Sequence, residues 1–245
     1  LMGIVSAKDL LLSDEDCVIA DIMDTSPIYV NTLDDKEEVV LALSKYDLLA
    51  MPVVDNEQRL VGIVTVDDAI DVLQEEATED IEKMAGIVPS EKPYLKTGIL
   101  DTCRQRIPWL LLLMISSTFT GKIITHYESA LGELLILTSF IPMIMGTGGN
   151  SGSQSSVTVI RGLSLEEIEF KDIFRIIWKE FRVAIVCGVA LAAATYLKVL
   201  WLDGASSVIS LVVALTLLFT ILLAKLVGSI LPLLAKKVGF DPAVM

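Results

Sequence analysis

Carboxylates are concentrated in residues 67–84 of this 245-residue chain, where the sequence reads DDAIDVLQEEATEDIEKM. At about 100° per residue, one narrow helical face collects five of them: Asp68, Asp71, Glu75, Glu79 and Glu82. Apolar residues occupy the opposite face, and Lys83 is the only base in the segment. Like charges four residues apart destabilise a helix, whereas carboxylate oxygens are the ligands that hard cations such as Mg²⁺ prefer. The pattern favours a cation-binding helix, with a solvated acidic face as the alternative.

A second polar run, GTGGNSGSQS at 146–155, lies inside an apolar stretch. Together with Pro142, this run is expected to interrupt a helix at membrane depth, where irregular backbone must line water or be buried in protein. Its neutral oxygens suit a cation that keeps its water shell. We predict that the run lines a pore, through Gly146, Gly149, Asn150 and Gln154. The alternative is close helix packing through small residues.

The sequence offers no nucleophile and base with the spacing of an enzyme. A GxSxG motif would need glycine where Ser153 stands, and GxGxxG would need glycine where Ser151 stands. The three cysteines are isolated, and His126 is the single histidine. We therefore expect no enzymatic activity, no thiolate metal site and no disulfide framework.

The two halves of the chain differ sharply in charge. Residues 1–103 carry 23 acidic and 7 basic residues, and residues 104–245 carry 9 and 12. The acidic half excludes a nucleic-acid partner, because it would repel a phosphate backbone. The second half is apolar enough to lie in lipid.

Four segments of the second half are predicted to span a membrane, at about 107–127, 131–160, 183–202 and 207–235. Basic residues cluster in 161–182 and follow the last span as Lys236 and Lys237. The positive-inside rule places these bases and the N-terminal half in the cytoplasm. The 161–182 segment itself is predicted to be an amphipathic helix lying at the inner membrane interface.

An internal repeat organises the first half: GIVSAKDLL at 3–11 matches GIVTVDDAI at 62–70. Each copy carries a Ser or Thr three residues before an Asp, which is typical of a helix cap, as Ser6 with Asp9 and Thr65 with Asp68. Between the copies the pattern predicts one helix and two strands, at 37–48, 51–55 and 59–64.

This order of elements resembles a tandem pair of CBS (cystathionine-β-synthase) domains over roughly residues 1–73, with only the end of the first copy present. The chain is accordingly divided into four parts: 1–12, the end of the first CBS repeat; 13–73, the second repeat; 74–103, an acidic connecting helix and linker; and 104–245, a transmembrane domain. The resemblance implies that Thr65 and Asp68 contact the ribose of a nucleotide. A plain helix cap is the alternative.

The CBS pair, the acidic helix with EEATEDIEKM and the run PMIMGTGGNSGSQSS together resemble the MgtE family of magnesium channels and transporters. The implied fold is a partial α+β CBS pair joined by an acidic amphipathic helix to an all-α polytopic membrane domain. The implied function is a homodimeric, Mg²⁺-selective channel or transporter of the cell (inner) membrane. Its CBS domain would be cytoplasmic, and intracellular Mg²⁺ bound there would close the pore.

The resemblance also implies the Mg²⁺ ligands, which would be Asp35, Glu37, Asp47, Asp68, Asp71, Glu76, Glu79, Asp80 and Asp241. Mg²⁺ would be both the regulator and the transported ion. ATP would be a second candidate ligand, and membrane lipid would surround the protein as a partner. In the family, a fifth membrane helix carries the key aspartate of the pore. The chain stops before that helix, so we expect it to be part of a longer protein. The alternative function is an adenine-nucleotide-sensing CBS module on a carrier or channel for another ion; the net charge of −16 over 1–103 favours cation sensing.

Overall fold

The computed structural model describes residues 1–90, 92–128, 132 and 135–244. The chain divides into two compact units, Leu1–Asp80 and Ile81–Met245.

The first unit is a small α+β domain, built from α1 (Ala7–Leu12), α2 (Ile19–Ile22), β1 (Val30–Asn31), α3 (Lys36–Lys45), β2 (Ala50–Val54), β3 (Leu60–Thr65) and most of α4 (Val66–Met84). Its strands are ordered β1-β2-β3, with β1 parallel and β3 antiparallel to β2. Helix α3 makes the crossover that a parallel pair requires. The core of this unit is formed by Val30, Val39, Val40, Leu43, Met51 and Ala69. The predicted helix and two strands are confirmed, with boundaries that shift by one to three residues.

Helix α4 confirms the amphipathic helix predicted over 67–84. It follows β3 directly and ends at Met84, after which Gly86 adopts a left-handed backbone with φ of 69°. That conformation is open to glycine at little steric cost, which explains why the chain can turn here.

The second unit is helical, with α5 (Ile99–His126), α6 (Ile141–Ser164), α7 (Ile173–Trp201), α8 (Ser207–Val238) and four 3₁₀ turns, Tyr94–Lys96, Leu135–Phe140, Phe170–Asp172 and Pro242–Val244. Helix α8 packs along both α6 and α7. No residue of α5 is buried. The Ser206 hydroxyl caps α8 at its start, and Gly239, with φ of 83°, ends it.

Three helical segments of the described chain are long and apolar enough to cross a membrane: Ile99–His126, Phe170–Trp201 and Ser207–Val238. They overlap the first, third and fourth predicted spans. Helix α6 does not meet the same criterion, so the second span stays a prediction. Residues 131, 133 and 134 of that span lie outside the described residues.

The expected break in the backbone at 146–155 is wrong. All ten residues are helical and lie in the middle of α6, while Pro142 sits in its first turn. A proline there needs no N–H donor and fits the helical φ. The glycines cost helix propensity, but two of them allow α6 to pack closely against α8, as described below.

The expected interfacial helix over 161–182 is also wrong. Helix α6 continues to Ser164 and α7 begins at Ile173, so the segment belongs mainly to the ends of two long helices. Phe170, Ile173 and Ile176 pack against a buried cluster of protein side chains, namely Val159, Leu163 and Leu233. Much of the apolar side of this segment therefore contacts protein.

Candidate functional site

The predicted pore-lining residues share one face of α6. Gly146, Gly149, Asn150 and Gln154 are all exposed, and so is Ser153 between them. Their spacing of three and four residues is that of a single helical stripe. The buried side of α6 carries a different set, namely Gly148, Ser151, Ser155, Ser156, Val159, Ile160, Gly162 and Leu163. The sequence alone did not separate these two faces.

Glycines of the two faces have different surroundings. A Cβ built on Gly146 or Gly149 meets no atom within 4 Å, whereas one on Gly148 would lie 2.5 Å from Thr220 Cγ2. A Cβ on Gly228 of α8 would lie 2.3 Å from the backbone oxygen of Gly152. The alternative interpretation, close helix packing through small residues, thus applies to the buried face of α6. The exposed glycines take no part in that packing.

This difference predicts the effect of alanine substitution. Gly228→Ala forces backbone atoms of α6 and α8 apart, and we expect a loss of about 1–3 kcal/mol, the usual cost of overpacking. Gly149→Ala adds its methyl group to open space and should leave stability unchanged or slightly raised, because alanine is the better helix former. Thermal unfolding of the detergent-solubilised full-length protein measures both. Equal melting temperatures for the two variants would contradict the close α6–α8 contact.

A buried polar network was missed by the sequence analysis. Ser155 Oγ of α6 donates to Glu180 Oε2 of α7 at 2.6 Å, and Lys225 Nζ of α8 donates to Ser155 Oγ at 3.2 Å. Glu180 was assigned to a surface segment, because the third span was predicted to begin only at 183. The available signal was Lys225, a lone charge inside an apolar stretch.

On α4, the predicted ligand Glu76 and its neighbour Glu75 have a basic partner. Lys36 Nζ lies 2.9 Å from Glu76 Oε1 and 3.5 Å from Glu75 Oε2. The hydrogen bond to Glu76 and the charge of that carboxylate raise the pKa of Lys36. Asp68 and Asp71 are exposed. The acidic face of α4 is therefore accessible at the start of the helix and contacts a lysine near its middle.

The remaining predicted ligands of the first unit lie at the ends of α3 or farther along α4. Asp35 caps α3 by accepting the Glu37 N–H at 2.9 Å. Asp47 follows α3 with a φ of 51°, in the left-handed region that Asp tolerates better than most residues. Glu79 and Asp80 are half-buried on α4. Within the described ranges, no three or more His, Cys, Asp or Glu side chains are grouped closely enough to hold a metal ion.

Asp241, in the second unit, also has a cationic partner. Its Oδ2 accepts from Lys83 Nζ at 2.5 Å, and its Oδ1 accepts the Ala243 N–H at 2.8 Å. Next to this pair is a cavity of about 220 Å³, lined by Met84, Gly152, Ser153, Ser156, Val157, Ile160, Gly228 and Ala243. An ammonium group thus sits where a divalent cation was predicted.

Asp68, one of the two nucleotide candidates, lines a second cavity of about 330 Å³ in the first unit. Asp68 and Lys36 line this cavity together with a largely apolar wall, made by Val30, Val39, Val40, Val53, Val64 and Val72. Thr65 does not line it, but Thr65 Oγ1 donates to Asp68 Oδ2 at 2.7 Å and orients that carboxylate. The same arrangement in the first repeat, Ser6 with Asp9, caps α1.

A small α+β unit precedes long apolar helices that bury Glu180 and Lys225, and ionisable groups buried among such helices are a mark of membrane proteins with a functional site between their helices. Comparison with known sequences agrees: residues 141–245 match the MgtE family, described as a divalent cation transporter, and residues 19–75 match the CBS domain. Residues 141–245 therefore carry the MgtE domain and residues 19–75 carry the CBS domain. The resemblance drawn from the sequence is thereby confirmed.

Individual relatives match along the whole chain. It is 38% identical over 245 residues to the magnesium transporter MgtE of Thermus thermophilus and 40% identical over 248 residues to that of Bacillus subtilis. These matches cover 100% of this chain and 54% and 53% of the relatives, so the chain spans about half of their length. A crystal structure of the cytosolic domain of the Mg²⁺ channel MgtE in complex with ATP matches with 49% identity and a TM-score of 0.29, over 29% of each chain. The named relatives are transporters, in agreement with the expectation that the chain is not an enzyme.

Proposed function

We propose that this chain forms the CBS and membrane portion of a Mg²⁺ transporter or channel of the cell membrane. The observation that carries the proposal is the exposed polar face of α6, with Asn150, Ser153 and Gln154 flanked by apolar helices. Polar groups at membrane depth need water or protein against them, because lipid offers no hydrogen bonds. A water-filled path along this face meets that need.

Neutral oxygens on this face suit a hydrated Mg²⁺. The ion gives up its water reluctantly and is held through amide, hydroxyl or water contacts more readily than by a dry cage. The open space beside Gly146 and Gly149 leaves room for that water shell.

A second copy of the chain would close the path. One protomer exposes this face of α6 and leaves the apolar side of α4 exposed as well, at 50% for Ile70 and 64% for Ile81. We therefore propose a homodimer in which α6 of each copy faces the ion, with lipid around the remaining apolar surface. The basic residues at the ends of the spans support a cytoplasmic position for the CBS domain in this proposal.

The experiment that tests this function measures Mg²⁺ entry into liposomes that contain the full-length protein and a trapped Mg²⁺ indicator. Flux should exceed that of protein-free liposomes and should fall when Mg²⁺ is present on the CBS side. A full-length, correctly inserted protein with no flux above the protein-free control would contradict the proposal.

A second proposal, adenine nucleotide binding, rests on the cavity beside Asp68. Its volume of about 330 Å³ lies at the lower end of small-molecule sites, which run from about 300 to 1,000 Å³. The valine wall suits a base, the Asp68 carboxylate can accept ribose hydroxyls, and Lys36 can meet a phosphate. The acidic surroundings favour the Mg²⁺ complex of ATP over free ATP.

Asp68→Ala should weaken ATP binding to the full-length protein by about tenfold or more, the value of one hydrogen bond to a charged group. Asp71→Ala is the matched control, since Asp71 lies on the same helix, is exposed and does not line the cavity. Calorimetric titration with MgATP measures both. An equal loss of MgATP affinity in the two variants would mean that binding depends only on the total negative charge of α4. That result would contradict a nucleotide site at Asp68.

A further inference from the structure

The buried network of Ser155, Glu180 and Lys225 joins all three helices that make up the packed membrane unit. Its members are 2%, 8% and 5% exposed, and its hydrogen bonds run from Lys225 through the Ser155 hydroxyl to the Glu180 carboxylate. Ser155 follows Gln154 directly, yet it is buried while Gln154 is exposed. The network therefore lies behind the polar face of α6.

Stability alone does not account for this network. The free energy of removing two opposite charges from water is not reliably offset by their attraction in a buried site. Apolar residues of similar size often stabilise a fold as well or better. Ionisable groups inside membrane helices are costly for the same reason and accompany function. The charges at 180 and 225 are thus expected to serve something that leucine or methionine could not.

The contact between α6 and α8 explains what the network supplies. Where Gly152 of α6 meets Gly228 of α8, backbone lies against backbone, and these glycines have no side chains to interlock. Such a contact fixes the distance between two helices well but their rotation poorly, because rotation is normally set by side chains fitting between one another. Charge-assisted hydrogen bonds are directional and can set it.

We propose that Glu180 and Lys225 are positioning residues which, through Ser155, fix the rotation of α6 about its axis and so direct Asn150 and Gln154 toward the ion path. This inference rests on the function proposed above. A turn of α6 by one residue, about 100°, would carry Gln154 toward the protein interior and bring a buried residue to the path.

Cysteine labelling tests the rotation without measuring transport. In full-length protein whose other cysteines are replaced by serine, Gln154→Cys and Ser151→Cys are each treated with a water-soluble maleimide in liposomes. Gln154→Cys should react fast and Ser151→Cys slowly. Adding Ser155→Ala should change the ratio of the two rates by about tenfold, the equivalent of one lost buried hydrogen bond. Ser155→Thr, which keeps the hydroxyl, should retain the parental ratio.

Ser229→Ala is the matched control. Ser229 is fully buried on α8, but its hydroxyl donates to Leu226 O within the same helix. It should leave the labelling ratio unchanged. An altered ratio in Ser229→Ala equal to that in Ser155→Ala would show that any lost buried hydroxyl disturbs α6, and would overturn the inference.

Charge variants separate positioning from folding. Glu180→Gln leaves Lys225 without its carboxylate and should reduce the folded yield, whereas the double variant Glu180→Gln, Lys225→Met should recover that yield, because no lone buried charge remains. If the network positions α6, the double variant keeps an altered labelling ratio and a lowered maximal flux, with the half-saturating Mg²⁺ concentration unchanged. A parental labelling ratio in the double variant or in Ser155→Ala overturns the inference, whatever the flux.

Failure of the proposed function would look different. An altered labelling ratio combined with full Mg²⁺ flux would show that Ser155 does set the rotation of α6 but that its face does not line the path. That outcome rejects the assigned path and, with it, the role of Glu180 and Lys225 in directing α6 toward the ion.

Discussion

Asn150→Leu in the full-length protein is expected to abolish Mg²⁺ flux, with a loss of about 100-fold or more. Asn150 is the exposed amide in the middle of the polar face of α6. A hydrogen bond to a charged group is worth about 1.5–3 kcal/mol, and a homodimer would lose two such contacts at once. Leucine would also place an apolar side chain in the path, where hydrophobic constrictions exclude water.

The matched control for this prediction is Val186→Leu on α7. Val186 is 71% exposed, so Val186→Leu places the same leucine side chain at an exposed position outside α6. Both variants are compared for membrane insertion, for elution as a single species and for flux into liposomes. Unchanged uptake in a correctly inserted Asn150→Leu protein would reject the assignment of α6 to the path.

The sequence predicted the first unit well because its signals are local. The repeat at 3–11 and 62–70 and the apolar strands fix the order of elements. The periodicity of 67–84 predicts an amphipathic helix, and α4 forms over that segment. Each of these features depends on residues near one another in the chain.

The membrane unit was predicted less well, because its key features depend on contacts between helices. The glycines of 146–155 suggest a break when read alone, yet Gly148 and Gly152 are helical and lie against α8. Glu180 lies outside the third predicted span, which begins at 183, yet α7 begins at Ile173 and carries Glu180 into the interior. Neither outcome is visible until α8 is packed between the other two helices.

The predicted metal ligands fall between these cases. The residues on α4 share a helix face as expected, but the described part of the chain holds no ready-made metal centre. Spacing along one helix brings carboxylates to one side, and it does not bring separate segments to a common point. A site shared between two copies, or one assembled only when Mg²⁺ binds, is consistent with this arrangement and is the form we propose.

Regulation by Mg²⁺ is expected to depend on the carboxylates of α4. Two unit charges about 4 Å apart repel by roughly 1 kcal/mol in water and by about 4 kcal/mol at an effective dielectric constant near 20. In the proposed dimer, several such repulsions would accumulate where the acidic helices of two copies approach, and we expect the CBS units to separate unless a cation lies between them. Bound Mg²⁺ favours the compact state by its difference in affinity for the two states.

The double variant Asp71→Ala, Glu79→Ala should therefore raise the Mg²⁺ concentration that half-inhibits flux by roughly tenfold, since about 1.4 kcal/mol corresponds to that factor. Maximal flux should be unchanged. Asp14→Ala, Glu15→Ala is the matched control, because it removes the same charge from two exposed positions outside α4. An equal shift in the control would mean that only total charge matters, and no shift in either would leave α4 a solvated acidic face.

Lys83→Gln should shift the same inhibition in the opposite direction. The Lys83 ammonium lies 2.5 Å from Asp241 Oδ2, so Mg²⁺ can use that carboxylate only by displacing an internal cation, and this competition weakens Mg²⁺ binding. Glutamine is one atom shorter than lysine and carries no charge, so Lys83→Gln leaves Asp241 more available and should lower the half-inhibiting Mg²⁺ concentration. If Lys83 instead serves only to hold the chain after α8 in place, Lys83→Gln should loosen that segment and raise the half-inhibiting concentration or leave it unchanged. The direction of the shift therefore decides whether Asp241 takes part in sensing Mg²⁺.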